Sequence, residues 1–298
     1  MPEPLALADL LASWLVHLRA ERKSASTIRM YGQGVRAYLA WCDREGQPAQ
    51  LDRNLVAAFT ADLLDQGAEP ATAHARHLAV RRFARWLAEE GELAADPLAG
   101  MRPPKLDAKL VPVLDADQLR ALLRACQGKT LRDRRDEALV RLLVETGLRA
   151  GEAIALQLDD VDLAAGTLVV RRGKGGRGRI APFGPQTARA LDRYLRLRRQ
   201  HALAYTPALW LGERSSTLGY DGLYRTLIKR ARAAGIRDFH PHVLRHTAAS
   251  RWLAAGGSEG GLMTVAGWKR RDMLDRYAAS TRASRAIAEA RGLSLGEL

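Results

Sequence analysis

The sequence predicts a mainly α-helical protein with one small antiparallel β section, arranged as two parts. Three observations predict this. Apolar residues recur at helical spacing through most of the first hundred positions. Residues 92–114 lose that periodicity and collect Pro97, Pro103, Pro104 and Pro112. Beyond them, residues 167–183 form two short β-type runs around a glycine-rich turn, which makes the second part an α+β domain.

The elements follow in order. Residues 5–20 place Leu5, Leu10, Leu11, Trp14, Leu15 and Leu18 at helical spacing. Ser26 or Thr27 can cap a second helix that carries Tyr31, Val35, Tyr38 and Trp41 and ends at Gly46-Gln47-Pro48. A third helix covers roughly 52–66, before Gly67. A fourth starts after Pro70 and reaches Trp86 and Leu87. These helices make a first domain over 1–95. Proline stiffens and extends a chain, so 96–112 is expected to be an interdomain linker. In the second domain, 113–298, helices are expected at 115–126 and 131–147, with Asp115 and Asp117 as candidate caps. Strands at 167–171 and Arg179–Phe183 flank Gly173, Gly175, Gly176 and Gly178. Helices resume at 185–202, 219–234, 241–255 and 272–280, and the tail from Ser284 to Arg291 has helical apolar spacing at Ile287, Ala288 and Leu293. No internal repeat or low-complexity tract is present.

The formal net charge is +14 over 298 residues, which points to an anionic partner. The excess is not spread evenly. Residues 1–105 hold 13 Lys and Arg against 13 Asp and Glu, and the rest of the chain holds 34 against 20. A basic surface serving solubility alone is the plainer reading. The two cysteines, Cys42 and Cys126, are too few and too far apart for a disulfide framework or a zinc site. They read as small buried residues in a reducing compartment. The start lacks a basic region and Asp9 interrupts its apolar run, which makes a poor signal peptide. No stretch approaches a membrane span, so a cytoplasmic location is expected.

Four segments carry residues suited to chemistry on a phosphodiester. In Thr146-Gly147-Leu148-Arg149-Ala150-Gly151-Glu152, Gly147 can end one helix and Arg149 can start the next, where backbone N–H groups favour a phosphate. Glu152 shares the face of Arg149, and a surface ion pair is the bland alternative. The run from Arg171 to Arg179 holds Lys174 in the hairpin turn, where an ammonium can give a proton to a departing oxygen or merely grip phosphate. In His240-Pro241-His242-Val243-Leu244-Arg245-His246-Thr247, His242 and Arg245 lie three apart on a helix that begins after Pro241. Three histidines suggest a metal, but no carboxylate or thiol pattern accompanies them. Last come Ala266-Gly267-Trp268 and, nine residues on, Tyr277 within Met273-Leu274-Asp275-Arg276-Tyr277. Alone, that tyrosine and that tryptophan read as packing.

Taken in this order, the set resembles the tyrosine recombinases, or phage integrases, a family that includes the Xer recombinases and Cre. The family pattern of Arg, Lys, His-x-x-Arg, His or Trp, and Tyr falls on Arg149, Lys174, His242, Arg245, Trp268 and Tyr277. The specific segments are T-G-L-R-x-G-E, H-x-L-R-H and the nine-residue step to the tyrosine. The match covers about 113–281; the first part resembles the family's core-type DNA-binding domain more loosely. Most integrases have His where this chain has Trp268, a position that is Trp in Cre-like enzymes.

The resemblance implies a C-shaped clamp on double-stranded DNA at a specific core site, working as a homotetramer with no membrane partner. Tyr277 attacks phosphorus to give a 3′-phosphotyrosine, and two rounds of exchange pass through a Holliday junction. Arg149 and Arg245 hold the phosphate oxygens, Lys174 serves the leaving oxygen and His242 exchanges a proton with the tyrosine. Glu152 orients its neighbours and Trp268 positions the phosphate. No metal and no cofactor is implied. A type IB topoisomerase-like enzyme and a non-catalytic DNA-binding protein of the same fold stay open as alternatives.

Overall fold

The computed structural model describes residues 7–106, 112–171, 178–212 and 216–268, with Arg271 and Leu274. Lys174, Tyr277, the helix expected at 272–280 apart from Leu274, and the tail from Ser284 lie outside the described residues. The chain divides into two compact units, Met1–Lys109 and Leu110–Leu298.

The first unit is built on four helices: α1 (Leu7–Ala20), α2 (Ala25–Arg44), α3 (Arg53–Asp65) and α4 (Pro70–Glu89). The residue that caps α2 is Ser24, rather than Ser26 or Thr27. Its hydroxyl accepts from the Thr27 N–H at 3.2 Å and bonds the hydroxyls of Ser26 and Thr27 at 2.9 and 2.8 Å. Asp52 caps α3 through the N–H groups of Asn54 and Leu55, and Pro70 opens α4, where a missing N–H costs nothing. The predicted apolar stripes meet in one core around Trp14, Tyr38, Phe59, Phe83 and Leu87. Leu98 is buried in it too, so the start of the aperiodic segment packs on these helices. Helices α2 and α4 pass closely at Gly34, where a Cβ would stand 2.5 Å from the Ala79 Cβ. His77 of α4 is buried and shares a 3.1 Å hydrogen bond with Thr60 of α3.

The second unit contains α5 (Ala116–Ala125), α6 (Leu131–Thr146), α7 (Ala150–Ile154), the strands β1 (Val161–Asp162), β2 (Thr167–Val170) and β3 (Arg179–Pro182), then α8 (Pro185–Arg198), α9 (Tyr220–Ala233), α10 (Pro241–Ala254) and α11 (Glu259–Ala266). Asp115 caps α5 with Gln118, and Thr130 caps α6 with Asp133, each as a reciprocal box. The sheet is antiparallel in the order β1-β2-β3, so the expected hairpin gains a third strand. Leu168, Val170 and Ala181 face the core, whereas Val169 pairs with Ile180 on the exposed face.

Helix α6 threads this core and packs against α5, α7, α8, α9 and α10. Being covered on most sides, it buries charge as well as apolar residues. Asp136 is fully buried and accepts from Arg135 at 2.8 Å and from Arg230 of α9 at 2.8 Å. Arg230 also donates to Asp133 at 2.9 Å and to the Ala125 carbonyl that ends α5 at 2.8 Å. The four side chains thus form a charge-neutral quartet, which is how buried ions are tolerated.

Candidate active site

Helix α6 ends where Gly147 enters the left-handed region at φ 62°, a conformation that costs glycine nothing. The chain reverses there and presents Arg149 as the residue preceding α7. Glu152, three residues on, reaches back. Its carboxylate accepts the Arg149 backbone N–H at 2.9 Å and the Arg149 Nη1 at 2.7 Å. Arg179, the first residue of β3, grips the same carboxylate with Nη2 at 2.7 Å and Nη1 at 3.2 Å. Glu152 is only 8% exposed, so this is not a surface ion pair. Burial by itself would raise its pKa; the hydrogen bonds from Arg179 and from the Arg149 N–H outweigh it and hold the group at about 2. A permanent carboxylate therefore fixes Arg149.

Pro241 is the first residue of α10, and the next turn carries the two predicted residues. His242 is exposed. The ring of His246, buried one turn on, meets it edge-on at 4.4 Å between centroids. Arg245 points inward and is 2% exposed. It donates through Nη1 to the Gly147 carbonyl and through Nη2 to the Ala266 carbonyl at 2.8 Å. Its guanidinium carbon lies 5.4 Å from the centre of the Trp268 ring, within cation–π range.

Helix α11 ends at Gly267, also left-handed at φ 64°, and the Trp268 N–H closes the turn on the Met263 carbonyl at 2.9 Å. Trp268 is buried with Leu253, Leu262 and Leu274 in a small cluster. Arg179 Nε donates to the Val265 carbonyl at 2.8 Å. Two guanidiniums therefore hold two consecutive carbonyls at the end of α11. Arg245 joins them to the Gly147 turn and Arg179 joins them to Glu152.

A cleft of about 490 Å³ opens beside this framework, lined in part by Arg149, Glu152, His240 and His242. Tyr220 and Tyr224 of α9 supply another wall. The structure thus gathers Arg149, Glu152, His242, Arg245 and Trp268 around three helix ends. Lys174 and Tyr277 fall outside the described residues. Sequence reasoning missed Arg179, which reads there as one of several hairpin arginines; its partners are 27 and 86 residues away. The arrangement can hold an anionic group at Arg149, with an imidazole close by. Among the described residues, no group of three or more His, Cys, Asp or Glu side chains is placed to hold a metal ion. None of the described helices is long and apolar enough to cross a membrane.

Comparison with known proteins decides the family. The model described as "Phage integrase family" matches residues 112–284, and "Phage integrase, N-terminal SAM-like domain" matches residues 11–91. The chain belongs to the phage integrase family. Among its relatives, "Tyrosine recombinase XerC" of Azotobacter vinelandii is 38% identical over 253 residues, which cover 83% of this chain and 82% of that protein. XerC of Pseudomonas aeruginosa strain PAO1 is 36% identical over 257 residues, 84% of this chain and 82% of that one. The fold agrees with that of the XerH site-specific recombinase bound to palindromic difH substrate in a post-cleavage complex. That match has a TM-score of 0.73 and 18% identity over 90% of this chain and 81% of the other. A lambda integrase from a tetramer bound to a Holliday junction matches at 0.68 and 19% identity, over 89% and 77%. As a phage integrase of the tyrosine recombinase type, the protein is an enzyme that cuts and rejoins DNA strands in site-specific recombination.

Proposed function

We infer that this recombinase cuts one strand of a duplex at a specific core site with Tyr277 and conserves the bond as a 3′-phosphotyrosine. The Tyr277 oxygen forms a bond to phosphorus as the bond from phosphorus to the 5′-oxygen breaks. The tyrosine proton passes to His242, and Lys174 supplies a proton to the departing oxygen. Charge building on the phosphate oxygens is met by Arg149 and Arg245, fixed cations that cost no reorganisation during the step. Glu152 orients Arg149, and Trp268 positions the phosphate while packing the floor under Arg245. A free 5′-hydroxyl from a second duplex then attacks phosphorus, releases Tyr277 and joins the strands. Two such rounds pass through a Holliday junction, so no ATP and no metal is called for.

The observation that carries this reading is the clustering of Arg149, Glu152, His242, Arg245 and Trp268 at three helix ends, in the family's order. Residues 1–95 serve as the core-type DNA-binding domain, 96–112 as the linker and 113–298 as the catalytic domain. Four active sites around two duplexes require a DNA-bound homotetramer. The lambda integrase tetramer on a Holliday junction supports that assembly, and the XerH complex with difH supports the duplex as substrate. A cytoplasmic location fits the two cysteines, which are both free and buried.

The test maps covalently protein-bound DNA ends in cells, then builds a nicked suicide duplex on that sequence. Wild-type protein is expected to form a covalent adduct on a denaturing gel. Tyr277→Phe is expected to bind the duplex equally and form none. An adduct that persists in the variant, or maps to Tyr220 or Tyr224, overturns the assignment.

A further inference from the structure

We propose that Arg179 is a positioning residue of this active site, a joint that sets Arg149 and the Trp268 segment against each other. The proposal rests on the cleavage reading above and adds a residue to it. Arg179 is planar, permanently charged and forked, and its side chain is 9% exposed. One edge of the fork takes both oxygens of Glu152, and Nε takes the Val265 carbonyl. Glu152 in turn holds Arg149 by main chain and side chain. Three residues past Val265 the chain reaches Trp268, and Tyr277 follows nine residues later. In the other direction, Arg179 pairs with Val170, and in sequence these two residues bracket Lys174.

Arg149, through Glu152, and the chain leading to Trp268, through Val265, thus meet at one guanidinium. The contact at Gly267 is close: a Cβ there would stand 3.1 Å from the Arg179 guanidinium carbon. The side chain therefore lies directly against the bend at the end of α11. Without Arg179, the Glu152 carboxylate keeps Arg149 as its partner, while the Val265 carbonyl loses its tie to β3. Arg149 and the Trp268 turn are then free to shift relative to each other. A misplacement of about 1 Å in a catalytic group costs on the order of 100-fold in rate. Lysine offers one compact ammonium, which cannot span both the carboxylate and the carbonyl.

The experiment uses full-length Arg179→Lys, Arg179→Gln, Glu152→Gln and the Arg179→Gln/Glu152→Gln double variant, with Tyr277→Phe as control. Single-turnover cleavage of the mapped suicide duplex is measured at saturating protein, and duplex affinity separately. Arg179→Gln is expected to cleave about 100-fold more slowly with near-normal affinity, and Arg179→Lys to fall between it and wild type. The double variant is expected to lose little more than the worse single one, because both changes break the same linkage. Hydrogen exchange gives a readout independent of cleavage. The amides of Arg149 and Trp268 should both exchange faster in Arg179→Gln. Wild-type cleavage in Arg179→Gln, losses that multiply in the double variant, or equal losses in binding and cleavage would each overturn the proposal. So would unchanged exchange at both amides, even for a protein that forms no adduct. Absence of an adduct in wild type, with exchange altered as described, would instead sink the cleavage reading alone.

Discussion

Replacing Glu152 by glutamine tests the central ion cluster, and its size can be worked two ways. The folded pKa of about 2 lies below the ordinary carboxylate value of 4.5. By proton linkage, that gap corresponds to about 3 kcal/mol of stability. Removing one partner of a buried ion pair costs about 3–5 kcal/mol by mutational precedent, because the remaining charge is left uncompensated. The two routes agree. A depressed carboxylate contributes fully above its unfolded value and loses that contribution as pH falls through the folded one. The Glu152 contribution is therefore complete at neutral pH and disappears between pH 4.5 and 2. Urea unfolding of the full chain at pH 7 should show Glu152→Gln less stable by roughly 3 kcal/mol, with the gap narrowing below pH 4.5. A gap under about 1 kcal/mol at pH 7, or one constant down to pH 3, would refute the reasoning.

Three other predictions concern separate parts of the molecule. Gly34→Ala sets a methyl group 2.5 Å from the Ala79 Cβ and is expected to destabilise the first unit by about 1–3 kcal/mol, despite alanine's better helix propensity; a raised urea midpoint would contradict the close α2–α4 crossing. Burial, then the charges of Arg81 and His74, lower the His77 pKa from 6.5 to about 4, so its contribution is whole above pH 6.5 and is lost as pH falls to 4, an effect of roughly 3 kcal/mol. In His77→Leu, unfolding midpoints over that range should lose this acid sensitivity, and an unchanged slope would show that other groups cause it. Trp268→Phe keeps an apolar plate under Arg245 and against Leu253, Leu262 and Leu274, so it should melt higher and cleave faster than Trp268→His; a more active but less stable His variant would make the ring N–H the dominant contribution.

The sequence showed most of the helices because their apolar stripes are long and their ends are strongly marked, by Pro70 and Pro241 at starts and by Gly147 at a stop. Its misses have local causes. Three neighbouring hydroxyls made the α2 cap ambiguous, and the start of the helix selected Ser24. Helix α11 was missed because Gly260 and Gly261 lie inside it and Gly256 and Gly257 precede it. Strand β1 has two residues, too few to show alternation, and exists by pairing with Leu168 and Thr167. Helix α8 stops at Arg198, short of 202, where that buried guanidinium turns to the carbonyls of Ala204, Thr206, Ala208 and Leu209. In the site, Arg149, Glu152, His242 and Arg245 were legible because each member of the two pairs lies within one turn of its partner. Arg179 carries no such spacing. Its role depends on which distant residues the fold brings to it, and that information resides in tertiary packing.

The neutral quartet of Asp133, Arg135, Asp136 and Arg230 bears on how α9 finds its place. A seam of leucines alone fits nearly as well after one helix slides or rolls along the other, since oily surfaces are forgiving. Arg230 removes that tolerance, because it must meet two carboxylates of α6 and the last turn of α5 at once. Any slip strands a buried ion. Ten residues earlier on the same helix is Tyr220, and six earlier is Tyr224, both of which wall the cleft beside Arg149 and His242. A check on alignment deep in the core thereby decides which aromatic faces border Arg149 and His242.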